Sequence, residues 1–223
     1  MAETLKQKRA RARKIIPILQ QTYPDAKCSL RFGNALELLV ATILSAQCTD
    51  VRVNKITEQL FREYVSAADY ARAELAELEE RVRSAGFYKH KAKNIKHCCE
   101  KLVAQFQGRV PATLKELTLL DGVGRKTANV VLGNAFGVPS MVVDTHVGRI
   151  SQRLGLTTES DPVKIEFALM ELIPREHWVQ YSHELICLGR DICKARRPQH
   201  RLCPLRSLCP TGSAELKKAP AGD

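Results

Sequence analysis

The chain has no apolar run approaching the roughly 20 residues that a membrane-spanning helix needs, so a membrane role is not expected. Its opening residues, MAETLKQKRARARK, are basic but lack the apolar stretch of a secretory signal. Strand-like alternation of apolar and polar residues is scarce, which argues against a core built on a sheet. There is no internal repeat and no low-complexity tract. Without a targeting signal, the expected location is the cytosol. There the eight cysteines are not read as a disulfide framework.

What the chain does have is positive charge. Its 223 residues carry a formal net charge of +11 and a sequence pI of about 9.4. A surplus of that size favours a polyanionic partner, and nucleic acid is the commonest one. Charge alone leaves a merely basic soluble protein equally open. The apolar share of 44% supplies enough material for one large core or two small ones.

Helical periodicity runs through nearly the whole chain, and the fold class read from it is all-α. Ile15, Ile16 and Leu19 follow the basic start at helical spacing. From Ala35, ALELLVATILSA is apolar enough to be buried on most sides. A second helix is expected after a cap at Asp50, with Val53, Ile56, Leu60 and Phe61 facing the core. A third carries Leu75, Leu78 and Val82 and stops at Gly86. The stretch ending at Gly108 sets Ile95, Cys99, Leu102 and Phe106 on one face, and Thr113 caps the short segment that follows. Helices ending at Gly137 and Gly155, one opening at Asp161-Pro162, and one around HWVQYSHELICLG complete the pattern. The tail beyond Cys209 reads as short, polar and frayed. Cys28, Cys48, Cys98 and Cys99 lie in helical-looking sequence and read as small buried side chains.

The most informative string is LLDGVGRKTANVVL, residues 119–132. Gly122 and Gly124 flank Val123 between two helices, and glycines so placed permit positive φ and expose successive backbone N–H groups. Added to the free N–H groups of the next helix, they form a phosphate seat that reads no base sequence. A plain tight turn would look the same.

The string GVGRKTANVV followed by VDTHVGR resembles the helix-hairpin-helix glycosylases of the endonuclease III family. LSAQCTDVRVNK at residues 44–55, GFYKHKAKNI at 86–95 and a cysteine-bearing tail fall in the same order. The likeness spans about residues 30–210. It implies a two-lobed helix-hairpin-helix DNA glycosylase fold with a cleft between lobes. A six-helix barrel lobe would span 28–138, with the hairpin near 114–133. An iron-sulfur cluster lobe would join 1–27 to 139–223. It also implies a bifunctional base-excision enzyme, a monomer acting on duplex DNA that contains oxidised pyrimidines or abasic sites.

By that resemblance Lys126 is the nucleophile, since an amine can displace the base at the sugar C1′ and then serve as an electron sink for β-elimination. Asp144, placed to cap a helix, would also stabilise positive charge on the sugar. Gln47 would fill the gap left by a flipped nucleotide. Phe87 stands where the family has a smaller, usually aliphatic wedge, with a core aromatic as the alternative. Gly122, Val123, Gly124 and Thr127 would hold phosphate.

Two positions depart from the family. The usual cluster spacing, C-x6-C-x2-C-x5-C, here reads Cys193-x6-His200-x2-Cys203-x5-Cys209. A 4Fe-4S cluster with a histidine ligand, a zinc ion on the same Cys3His set, a fourth thiolate from Cys187, or no metal all stand as readings. Either metal would pin a loop bearing Lys194, Arg196, Arg197 and Arg201 against DNA. The second departure is Asp121, where the family more often has proline; a carboxylate beside a phosphate seat is mildly repulsive. A monofunctional adenine-type relative and a non-catalytic DNA-binding paralogue remain the rival functions.

Overall fold

In the computed structural model, which describes residues 3–218 (side chains through 214), helix starts follow short polar side chains. Thr4 caps α1 (Leu5–Thr22) in a reciprocal box with Gln7. Asn34 caps α2 (Ala35–Leu44), and Thr49 caps α3 (Asp50–Glu63). Asp50, expected as that cap, is therefore the first helical residue, and its acid sits in the first turn where the helix dipole favours it. Next come α4 (Ala67–Arg72), capped by Ser66, α5 (Leu75–Arg81), α6 (Tyr88–Phe106) and α7 (Leu114–Leu117), capped by Thr113. The chain continues through α8 (Arg125–Ala135), α9 (Thr145–Arg153), α10 (Pro162–Leu172) and α11 (Trp178–Asp191) to α12 (Pro210–Lys218). No strand occurs among the described residues, and no helix is long and apolar enough to cross a membrane.

Three expectations shift. The helix through Leu78 ends at Arg81 and passes through a 3-10 turn, Arg83–Ala85, before Gly86. The segment after Cys209 is helical as far as Lys218, opened by Pro210 at its first position and by the Ser213 amide bonded to the Cys209 carbonyl at 2.9 Å. Residues 219–223 of that tail lie outside the described residues. Cys98 and Cys99 are buried in α6 as read, and burial pushes the Cys98 thiol up to about 12. Cys28 and Cys48 are only half-buried and sit outside helices.

The chain divides into two compact units, Cys28–Val138 and the discontinuous pair Met1–Lys27 with Pro139–Asp223. In the first, α2 contributes Leu38, Leu39, Val40, Ala41, Ile43 and Leu44 to one core with Val53, Tyr70, Ile95 and Leu102. Its near-continuous apolar sequence follows from burial on most sides. The second core joins Ala12, Ile15 and Leu19 of α1 to Ile150, Leu169, Tyr181 and Leu185, which closes the break in the sequence.

Candidate functional site

The hairpin is built from the close approach of two segments. Leu117, the last residue of α7, and Leu120 beyond it are buried, and the Val123 amide bonds the Leu120 carbonyl at 3.2 Å to close the turn. Gly122 has φ +75, and a Cβ there would lie 2.9 Å from Cβ of Asn94 on α6, so both the conformation and the space demand glycine. Gly124, also expected to take a positive φ, has φ −84 and ψ 174, open to any residue, with nothing within 4 Å of an added Cβ. Val123 is buried and its N–H is spent inside the turn, so it takes no part in a run of free amides. What remains is the start of α8, where Gly124 offers no side-chain cap and the first-turn amides point along the axis. Lys126 is exposed on that turn, with Thr127 half-buried beside it.

Asp121, expected to repel a phosphate, is neutralised within the chain. Lys101 of α6 reaches it at 2.8 Å and also donates to the Leu119 carbonyl at 3.0 Å. The hairpin that proline would stiffen through its ring is tied here by an ion pair instead.

Two further turns of the same unit present polar or aromatic side chains on strained backbone. Gln47 lies three residues beyond the end of α2, exposed, with φ 53. Phe87 has φ 49 and ψ 29, and its side chain is 67% exposed. That exposure excludes the core reading. A left-handed conformation costs a non-glycine residue about 1–2 kcal/mol, so neither turn is what local preference would choose.

In the other unit, Asp144 caps α9: its Oδ1 accepts from the amides of His146 and Val147, both at 2.8 Å. It is half-buried, at the end of the buried stretch Met141, Val142 and Val143.

Cys193, His200, Cys203 and Cys209 all line one open hollow. Cys187 does not line it. Backbone and guanidinium N–H groups point at the sulfurs: Arg153 Nη1 reaches Cys193 Sγ at 3.3 Å, and the Gly212 amide donates to Cys209 Sγ at 3.4 Å. An added Cβ at Gly212 would lie 3.2 Å from His200 Nδ1 and 3.6 Å from Cys209 Sγ, so glycine keeps that wall open. Among the described residues, no three of His, Cys, Asp and Glu converge tightly enough to hold a single ion. Lys194, Arg196, Arg197 and Arg201 are exposed around the hollow, as is Leu202.

The loop between Cys193 and Cys209 is held by arginines that the sequence did not single out. Arg153 donates to the carbonyls of Lys194 (2.8 Å) and Ala195 (2.9 Å), and Arg149 to that of Cys193 (2.9 Å). Arg11 on α1 donates to the carbonyls of Leu154 and Leu208 and forms a bidentate pair with Glu3 at 2.9 and 2.6 Å. Spacing could have flagged Arg149 and Arg153, which share one face of α9 four residues apart. No local signal marks Arg11.

An all-helical chain with a glycine hairpin opening onto an uncapped helix and a basic cysteine loop is the pattern of a base-excision DNA repair protein. Residues 40–175 match the HhH-GPD superfamily base excision DNA repair proteins, and the chain belongs to that family. It is similar to Endonuclease III of Synechocystis sp. (strain ATCC 27184 / PCC 6803 / Kazusa), 51% identical over 93% of this chain and 95% of the relative. Two solved structures, a non-covalent Endonuclease III-DNA complex and a trapped Endonuclease III-DNA covalent intermediate, each match at 45% identity and a TM-score of 0.89. The first covers 94% of this chain and 98% of its counterpart, the second 93% and 98%.

Proposed function

We propose that this chain is a bifunctional DNA glycosylase and abasic-site lyase that removes oxidised pyrimidines from duplex DNA in the bacterial cytosol. The observation that carries the proposal is Lys126, exposed on the uncapped first turn of α8 directly after the Gly122 turn. Amides at that helix start hold a phosphate of the damaged strand and set the lysine beside its sugar. Gly124 supports this reading, because its conformation and its surroundings within the chain leave glycine unexplained except by the approach of something from outside.

The Lys126 amine attacks C1′, forming a C–N bond as the bond from C1′ to the damaged base breaks and the base leaves. Loss of the amine proton and opening of the sugar ring give a Schiff base. Removal of a C2′ proton gives an enamine, the Schiff-base nitrogen taking up the electrons, and their return forms C2′=C3′ as the C3′–O bond breaks and the 3′ phosphate departs with that bond pair. Asp144, held by its cap, serves as the carboxylate that stabilises positive charge on the sugar. Gln47 fills the space left by the flipped nucleotide, and Phe87 wedges the neighbouring base step.

The cysteine loop fits a 4Fe-4S cluster ligated by Cys193, His200, Cys203 and Cys209. Three cysteines and a histidine lining one hollow at the family's spacing, with N–H groups directed at sulfur, support a cluster over a zinc ion. Held there, such a cluster would act structurally, and the loop so pinned would present Lys194, Arg196, Arg197 and Arg201 to the DNA backbone.

The test is borohydride trapping on duplex DNA carrying an abasic site. The wild-type protein should give a covalent adduct that vanishes in Lys126→Ala. DNA binding without any wild-type adduct would refute the lyase and leave a binding protein. Iron and sulfide analysis should give about four of each per chain; zinc alone would overturn the cluster reading.

A further inference from the structure

Lys91 is a buried cation for which the proposed chemistry has no use. It lies on the first turn of α6 and is 4% exposed, and burial lowers its pKa. Its Nζ donates to the carbonyl of Ala85, and its own backbone N–H donates to the carbonyl of Phe87 at 3.2 Å. The second is the helix's ordinary first-turn bond, so it is the side-chain bond to Ala85 that ties the segment 85–87 back onto the helix. Within that segment Gly86 has φ 59 and Phe87 has φ 49, an arrangement that leaves the phenyl ring in solvent on a backbone it would not otherwise adopt. Arg52 of α3 adds a bond to the carbonyl of Ser84 at 3.2 Å, just upstream of the tied segment.

An ammonium in this position is a poor choice for stability alone. Removing it from water is costly, and an apolar side chain of similar volume in such a site is often neutral or stabilising. What methionine could not supply is the bond to Ala85, and that bond fixes the turn from which Phe87 projects.

We propose that Lys91 is a positioning residue: its buried amine locks the 85–87 turn so that Phe87 stands ready to enter the base stack. This rests on the reading of Phe87 as the wedge. DNA then meets a preformed projection and does not have to order the turn on binding, and the lysine acts through the phenylalanine without touching the substrate.

The experiment uses the full chain and a duplex carrying 2-aminopurine beside a lesion, whose fluorescence rises when the step unstacks. Lys91→Met should fold, with a melting temperature at or above that of the wild type. It should lose most of the fluorescence rise, and duplex kcat should fall by about tenfold with a much smaller change in KM. Phe87→Ala should lose the same signal, and the double variant should be no worse than either single one. Lys91→Arg, which keeps a charged donor, should retain at least part of the rise; a folded Lys91→Arg protein indistinguishable from Phe87→Ala would overturn the proposal even if Lys91→Met proved insoluble. A normal signal in Lys91→Met beside a lost one in Phe87→Ala overturns the role of Lys91 alone. A normal signal in Phe87→Ala removes the wedge reading and the proposal with it.

Discussion

The unit Cys28–Val138 and the loop of residues 194–208 in the other unit are held together by opposite means. The first is an apolar core in which whole helices such as α2 are buried side chain by side chain. In the second, Leu205 is the one fully buried residue, and the backbone is tied down by Arg11, Arg149 and Arg153, which donate to residues 193, 194, 195 and 208. Hydrophobic burial is non-directional and tolerates local adjustment, whereas a carbonyl clamped by a guanidinium fixes backbone position directly. A core of the first kind suits a rigid base for the hairpin, and a clamp of the second suits a short loop with little apolar surface of its own.

The largest effect should come from the apolar core. Leu39→Ala, at a fully buried site on α2, should cost about 2–5 kcal/mol in a denaturant titration. Leu205→Ala is equally buried but should chiefly loosen its own loop, seen as faster hydrogen exchange across 194–208 with a smaller shift of the main transition. If both variants moved the main transition equally, the contrast between core and clamp would fail.

The buried charged residues also differ in sign between the units, Lys91 in one against Glu166 and Glu184 in the other. Burial pushes the Glu184 carboxyl from 4.5 up to about 7. The folded state then holds that proton more tightly than the unfolded chain. The associated stability is present below pH 4.5 and drains away as pH rises through about 7. Glu184→Gln removes this dependence, so the variant should gain about 2–3 kcal/mol on the wild type between pH 5 and pH 8 in urea unfolding. His183 acts in the opposite direction, since burial lowers its pKa and protonation at acid pH disfavours the fold. Comparing variant with wild type cancels that contribution. Parallel pH curves for the two proteins would place Glu184 in a wetter site than its burial indicates.

How far the sequence could be read follows the same division. The helices were legible because each rests on local rules: Thr113 caps α7, Asp144 caps α9, Asp161 with Pro162 opens α10, and Gly137 and Gly155 take positive φ after their helices. Misreadings fell where two rules competed within a residue of each other, as at Thr49 and Asp50, or where a polar sequence hid a helix, as in α12. The hairpin was legible as glycines, but which glycine was strained was not. That depends on Asn94, 28 residues away in sequence from Gly122, and spacing carries no trace of such a contact. The cysteine spacing placed its four residues around one hollow, while the arginines that shape the loop come from α1 and α9.

The clamp itself is tested by Arg11→Ala. It strips a donor from the carbonyls of Leu154 and Leu208, and unpaired carbonyls of this kind cost about 1–3 kcal/mol where water does not replace the bond. The readout is local: a protease should cut within 194–208 sooner, and iron of the proposed cluster should leave faster in the presence of a chelator. Glu3→Gln should show the same changes more weakly. The Arg11 guanidinium holds the Glu3 carboxyl below its ordinary range, so the contribution of this pair persists down to acid pH and is lost only as pH falls through that lowered value. Unchanged proteolysis and iron release in Arg11→Ala would show that the loop does not depend on α1.

The smallest effect lies at the hairpin, where the apolar unit borrows the other unit's device and ties backbone with a charged side chain. The pair of Lys101 and Asp121 is partly exposed, and pairs of that kind are worth about 0.2–1 kcal/mol to the fold. Its influence on DNA should be clearer than on stability, because it decides whether a bare carboxylate stands beside the proposed phosphate seat. Lys101→Met should weaken binding to a duplex with a stable abasic analogue by about two- to fivefold, more at low salt. Asp121→Asn alone should leave binding equal or slightly tighter. The decisive protein is the double variant: with no carboxylate left to screen, the loss of Lys101 should matter much less, and affinity should return close to that of the wild type. If the two effects simply add, Lys101 meets phosphate directly, and the aspartate before the hairpin is neutralised by nothing that bears on DNA.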